Sequence, residues 1–80
     1  MPVMEFRISN SSSAVVAFCL EPWGGRYKVP SQGVLRVVIV APTDPVVEWE
    51  LAEDMHALVV HEPAGAVATV YDGEREVRAE

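Results

Sequence analysis

Turn signals recur every eight to twelve residues along this 80-residue chain, and no apolar run between them is longer than the seven residues of Ala14–Leu20. That rhythm is the tightest constraint on the fold. Short apolar runs bounded by Pro, Gly, Asn and Asp clusters are the mark of strands. The residue that fills them agrees. Fifteen valines stand against four leucines and two isoleucines, and valine is stiff at χ1 and favours a pleated sheet. Ala52–Ala57 could form one helical turn at most. A membrane-spanning helix needs about 18 apolar residues, far more than any run here.

Glu5–Ser9 alternates polar and apolar, which predicts a strand with Met4, Phe6 and Ile8 inward. Asn10–Ser13 is a polar turn, and a hairpin back through Ala14–Leu20 is the simplest connection. Ala14–Leu20 is apolar throughout, as a central strand covered on both faces should be. Glu21-Pro22-Trp23-Gly24 suits a type I turn. Pro30-Ser31-Gln32-Gly33 is a second turn, with Gly33 able to take positive φ.

In Val34–Val40, Leu35, Val37 and Ile39 share one face, and Arg36 shares the other with Val34, Val38 and Val40. That second face leaves an apolar stripe of the kind a dimer or partner covers. Val46–Leu51 predicts Val47, Trp49 and Leu51 inward and Glu48 and Glu50 outward. Ala57–His61, Ala66–Tyr71 and Glu74–Arg78 complete the set, with Asp72-Gly73 as a hairpin signal and a fraying end. Glu21-Pro22-Trp23-Gly24 and Glu62-Pro63-Ala64-Gly65 share a spelling. Recurring turn chemistry explains it more simply than a twofold duplication.

These observations predict an all-β fold: a small single-domain antiparallel β-sandwich of seven or eight short strands, two-sheeted or Greek-key, spanning residues 1–80.

The block Phe18-Cys19-Leu20-Glu21-Pro22-Trp23-Gly24, followed by Tyr27, Val29-Pro30 and Gly33, resembles a family of small bacterial β proteins. Its members carry F-x-L-E-P-W-G, a tyrosine three residues on, and an L/V-P-x-x-G turn. Pro63-Ala64-Gly65, the strand through Val67 and Val70, and Asp72-Gly73-Glu74 resemble its later part. The resemblance implies a compact β domain and carries no activity with it.

Charge is segregated along the chain. Residues 1–43 hold Arg7, Arg26, Lys28 and Arg36 against Glu5 and Glu21, a net of +2. Residues 44–62 hold Asp44, Glu48, Glu50, Glu53, Asp54 and Glu62 with no Lys or Arg, a net of −6. The whole chain carries −6. A nucleic-acid binder needs a basic stripe, and none is visible. The acidic stretch reads as a solvated outer face, or as a surface for a basic partner.

Catalytic signatures are missing. No G-x-S-x-G is present, and Ser11–Ser13 have no histidine close in sequence. Cys19 sits in the most apolar run, where a thiol packs as a small hydrophobe. His56 and His61 are five apart, so on one strand they face opposite ways and cannot share a metal. Asn10-Ser11-Ser12 spells a glycosylation acceptor, without the secretion signal that would give it meaning. With one cysteine and no such signal, a cytoplasmic protein is expected.

Trp23 and Tyr27 flank Gly24-Gly25. The need of a small core for bulk favours Trp23 folded inward beside Phe6, Phe18 and Trp49, with Tyr27 packed against it. The alternative leaves Trp23 and Tyr27 exposed as a stacking platform for a sugar or partner side chain. The sequence therefore predicts a non-catalytic interaction module that pairs with itself or with a basic protein, and engages neither nucleic acid nor membrane. Its candidate binding residues are Trp23, Tyr27, Arg36, Glu48 and Glu50, with no cofactor and no metal. A small-ligand or carbohydrate binder using Trp23 and Tyr27 is the alternative.

Overall fold

The computed structural model describes residues 2–51, 56–61 and 65–80. They build eight strands: β1 (Val3–Ser9), β2 (Val16–Glu21), β3 (Gly25–Val29), β4 (Val34–Val40), β5 (Val46–Leu51), β6 (His56–His61), β7 (Val67–Asp72) and β8 (Arg75–Val77). No helix occurs among the described residues, so none is long and apolar enough to cross a membrane. The strands form two four-stranded sheets, ordered β1-β4-β7-β8 and β3-β2-β6-β5.

One core joins the sheets. Leu35, Val37, Ile39 and Val70 from the first meet Phe18, Leu20, Val29 and Leu58 from the second, all almost fully buried. Period-two patterning places them there. Met4, Phe6 and Ile8 on β1 pack against the core, and Leu35, Val37 and Ile39 on β4 lie within it. The face assignments for β1 and β4 are those the sequence predicts.

The predicted hairpin between the first two strands does not form. β1 pairs with β4, and β2 pairs with β3 and β6. Alternation tells which face a residue takes, but it does not choose a neighbour. The loop between β1 and β2 instead crosses from one sheet to the other. Asn10, only 7% exposed, holds it there. Its Nδ2 donates to the carbonyls of Ala14 (2.8 Å), Val29 (2.9 Å) and Pro30 (3.1 Å). Its Oδ1 accepts from the Ser12 amide (3.0 Å) and hydroxyl (2.6 Å). The sequon asparagine is thus a structural hub, and its Nδ2 is fully engaged.

Among the described residues, all strand pairings are antiparallel except one. β2 and β6 run parallel, with Phe18 opposite His56, Cys19 opposite Ala57 and Leu20 opposite Leu58. This seam joins the β2–β3 and β5–β6 hairpins. Of the two E-P-x-G segments, the first returns β2 to β3 within one sheet; residues 62–64 of the second lie outside the described residues.

Two turns differ from expectation. At Pro22–Gly24 the Gly24 amide donates to the Leu20 carbonyl (2.8 Å), one residue further than a type I turn reaches. In Pro30–Gly33 the positive φ falls on Gln32 (62°), not on Gly33. Gly33 is needed for closeness instead, since a Cβ there would lie 3.0 Å from the Pro30 carbonyl oxygen. The C-terminus is also tied down. The Glu80 amide donates to the Arg26 carbonyl (2.9 Å), and Lys28 pairs with Glu80 (3.2 Å), so the tail lies along the outer edge of β3.

Candidate functional site

The five residues singled out by sequence fall in separate places. Trp23 stands on the β2–β3 turn with 41% of its surface exposed, so it is not the buried lid expected. It stands between the end of β2 at Glu21 and the start of β3 at Gly25, outside both strands. Tyr27 does not pack on Trp23. Its ring stacks on Phe18 at 5.4 Å, against the core. Burial first, and the Glu76 carboxylate second, raise its phenol above the usual tyrosine range. With Tyr27 engaged inward, the two aromatics form no shared platform.

Trp49 is a second correction. It shares the inward side of its sheet with its register partner Leu58, yet is 45% exposed. Its strand is β5, which among the described residues pairs only with β6 at the edge of its sheet, so the core ends before it is covered. Trp49 meets His56 at 5.8 Å between rings. These two, with Ile8, Val16, Phe18 and Val29, wall a cleft of about 310 Å³ open at one end of the sandwich.

Arg36 sits on the outer face of the first sheet. Its guanidinium lies 4.5 Å from the Tyr71 ring centroid and 3.3 Å from Glu5. Register brings Glu5, Val38 and Thr69 into the row beside it, and Val3, Val40 and Val67 into the next. Val3 and Val67 are largely exposed, and Val38 and Val40 are half-buried. The apolar stripe predicted at Val34, Val38 and Val40 is therefore interrupted by Arg36. Its larger part is a patch of Val3, Val38, Val40 and Val67.

Glu48 and Glu50 do point outward, on β5 of the second sheet. Glu48 meets His61 Nε2 at 2.8 Å. Glu53, Asp54 and Glu62, the rest of the acidic surface expected there, lie outside the described residues. Across the same outer face, register sets Arg26, Cys19, Ala57 and Glu50 in one row, strand by strand from β3 to β5. Glu21, Val59 and Glu48 form the next row. Lys28 stands beside Ala17 on the other side. The centre of this face is thus small and apolar, with Ala17, Cys19, Ala57 and Val59 half-buried. One flank is cationic and the other anionic.

Sequence reasoning missed Arg26, Lys28, Ala57 and Val59. The signal for them was the apolar character of the Ala14–Leu20 run on both faces, of which the sandwich covers only one. His56 and His61 lie on opposite faces of β6, as their spacing requires. Among the described residues, no group of three or more His, Cys, Asp or Glu side chains could hold a metal ion. Comparison with protein-family models, with curated proteins and with solved structures gives no match.

Proposed function

We propose that this chain is a non-catalytic protein-interaction module of a reducing, cytoplasmic setting, recognising its partner through an outer sheet face. One observation carries the reading: each sheet carries a cluster of apolar side chains on its outer face as well as its inner one. A solvated antiparallel sheet alternates apolar-in with polar-out. Here the first sheet turns Val3, Val38, Val40 and Val67 outward, and the second turns Ala17, Cys19, Ala57 and Val59 outward. Contiguous outer apolar surface on a domain this small marks a contact site.

The test is affinity capture from the source cells with the parent chain and with a Val3→Lys/Val67→Lys variant. Both positions are exposed, so the fold should tolerate the change. A partner held by the parent and lost by the variant supports the reading. Equal capture by both, or none by either, refutes recognition through this face.

A second reading moves the small-ligand alternative from the Trp23 turn to the cleft between the sheets. Trp49, Phe18, Ile8 and Val16 give that cleft apolar walls suited to a small hydrophobic molecule. Titration with such molecules should change Trp49 emission in the parent and leave a Trp49→Phe variant silent. An unchanged spectrum removes this reading.

A further inference from the structure

We infer that the outer face of the second sheet is self-complementary and binds a second copy of this chain about a twofold axis parallel to its strands. The inference rests on the interaction reading above and takes up the second of its two faces, with one occupant.

The β2–β6 seam is the first reason. A sheet with one face in water alternates apolar-in with polar-out. Here the inner face carries Phe18, Leu20 and Leu58, which are buried, while the outer face of the same strands carries Ala17, Cys19, Ala57 and Val59, small or apolar and half-buried, in place of polar side chains. A second layer is called for, and small side chains let one approach closely.

Charge then selects the layer. Cations stand on β3 and anions on β5, at opposite edges of the same face. Lys28 is engaged by Glu80 and Glu48 by His61. Arg26 and Glu50, both exposed, form no ion pair among the described residues. They occupy the two ends of one row, Arg26–Cys19–Ala57–Glu50, roughly 14 Å apart at the usual strand spacing.

Two copies laid face to face can be related by an axis along the strands or across them. An axis across the strands sets β3 on β3 and β5 on β5, like charge against like. An axis along the strands reverses left and right. Arg26 of each copy then faces Glu50 of the other, and Cys19 faces Ala57. This is an isologous contact, in which one patch meets itself. Sheets stacked this way lie about 10 Å apart, within reach of an arginine and a glutamate from opposite sides.

Size sets the strength. Four strands of five residues cover a flat area on the order of 300 Å², well short of the ~800 Å² per partner of a standard stable complex. The dimer should therefore be weak and salt-sensitive, and its two ion pairs should decide its geometry more than its affinity.

The experiment is sedimentation velocity on the purified chain from about 10 μM to about 1 mM, at low and high salt, a range chosen for an interface below standard size. The parent should pass from monomer to dimer as concentration rises, and salt should oppose it. Arg26→Glu and Glu50→Arg should each weaken association roughly tenfold or more, because each sets like charges opposite one another. An equimolar mixture of the two variants should restore dimers, since both crossed pairs are then of opposite sign. Alkylation of Cys19 should slow with concentration in the parent and not in either variant alone. A monomer across the whole range, or a mixture no better than its components, overturns the proposal. If the parent stays monomeric while the Val3/Val67 capture experiment succeeds, the twofold dimer fails and the interaction reading stands.

Discussion

Exchanging the Asn10 amide for a carboxylate tests the fold at its most connected polar group. Asn10→Asp keeps the shape of the side chain and removes both Nδ2 hydrogens. Those two hydrogens serve three carbonyls, at 2.8, 2.9 and 3.1 Å, so two bonds are lost and one of them is shared. Each lost bond costs about 1 kcal/mol, and leaving the buried Val29 carbonyl facing another acceptor adds about 1–3 kcal/mol. The sum is about 3–5 kcal/mol, against a total stability of about 5–15 kcal/mol for a typical domain. The melting temperature should fall by roughly 12–40 °C.

Acidity gives the experiment its sign. One oxygen of the introduced carboxyl keeps the two Ser12 donors, but the other faces three carbonyls in a buried setting, so the folded state favours its protonated form, and its folded pKa lies above the unfolded value of about 3.9. The ionic penalty is therefore absent below the unfolded value, grows as pH rises, and is complete above the folded value. Melts followed by circular dichroism at pH 7 and in steps down to about pH 4, the unfolded carboxyl range, should show the gap to the parent narrowing. It should not close, since a protonated carboxyl donates once where the amide donated twice. A melting temperature within a few degrees of the parent at pH 7, or a gap that widens toward acid, would refute the hub.

Three further substitutions follow from other positions. Trp23→Ala should cost only about 1–2 kcal/mol, below the 3–5 kcal/mol of a fully buried aromatic, because the ring is 41% exposed; an unfolded variant in a thermal melt would place it back in the core. Gln32→Gly should be more stable than Gln32→Ala by about 1 kcal/mol, reversing the usual order, because φ is +62° there and both variants lose the side-chain bonds to Ser11 and Ser12; denaturant titrations with alanine ahead of glycine would contradict this. Tyr27→Phe should flatten the loss of stability above pH 10. The raised phenol keeps its proton in the folded state while the unfolded chain loses its own, so stability falls as pH rises through that range; parallel alkaline profiles for parent and variant would exclude it.

Face assignment was legible wherever alternation was strict. Met4, Phe6 and Ile8, then Leu35, Val37 and Ile39, point where period two sends them, because the pleat leaves no other choice. Pairing was not legible. The β2–β6 seam joins residues 38 positions apart, and no local pattern records which strand lies beside which. Trp23 and Trp49 show the limit of arguing from bulk: their size suits a core, but a turn and an edge strand hold them at its rim. Asn10 was opaque for a related reason, since two of its acceptors, at the end of β3 and in the turn after it, lie about 20 residues away. Of the proposed face, the outward Glu48 and Glu50 were readable. Arg26 and Lys28 became their counterparts only once β2 and β6 lay between them.

The parallel seam also bears on how fast the chain reaches its fold. The β2–β3, β5–β6 and β7–β8 hairpins close locally, whereas the β2–β6 and β1–β4 pairings must each close a long loop before any contact rewards it. Non-local strand pairing of this kind belongs with folding in milliseconds to seconds rather than microseconds. We expect joining of the two hairpins to limit the rate, so the seam should already be formed in the transition state. Stopped-flow chevrons should then show Leu58→Ala, in the seam, slowing folding, and Gly73→Ala, in the β7–β8 turn at φ +63°, mainly speeding unfolding. The reverse pattern would mean that the far hairpin, not the seam, sets the pace.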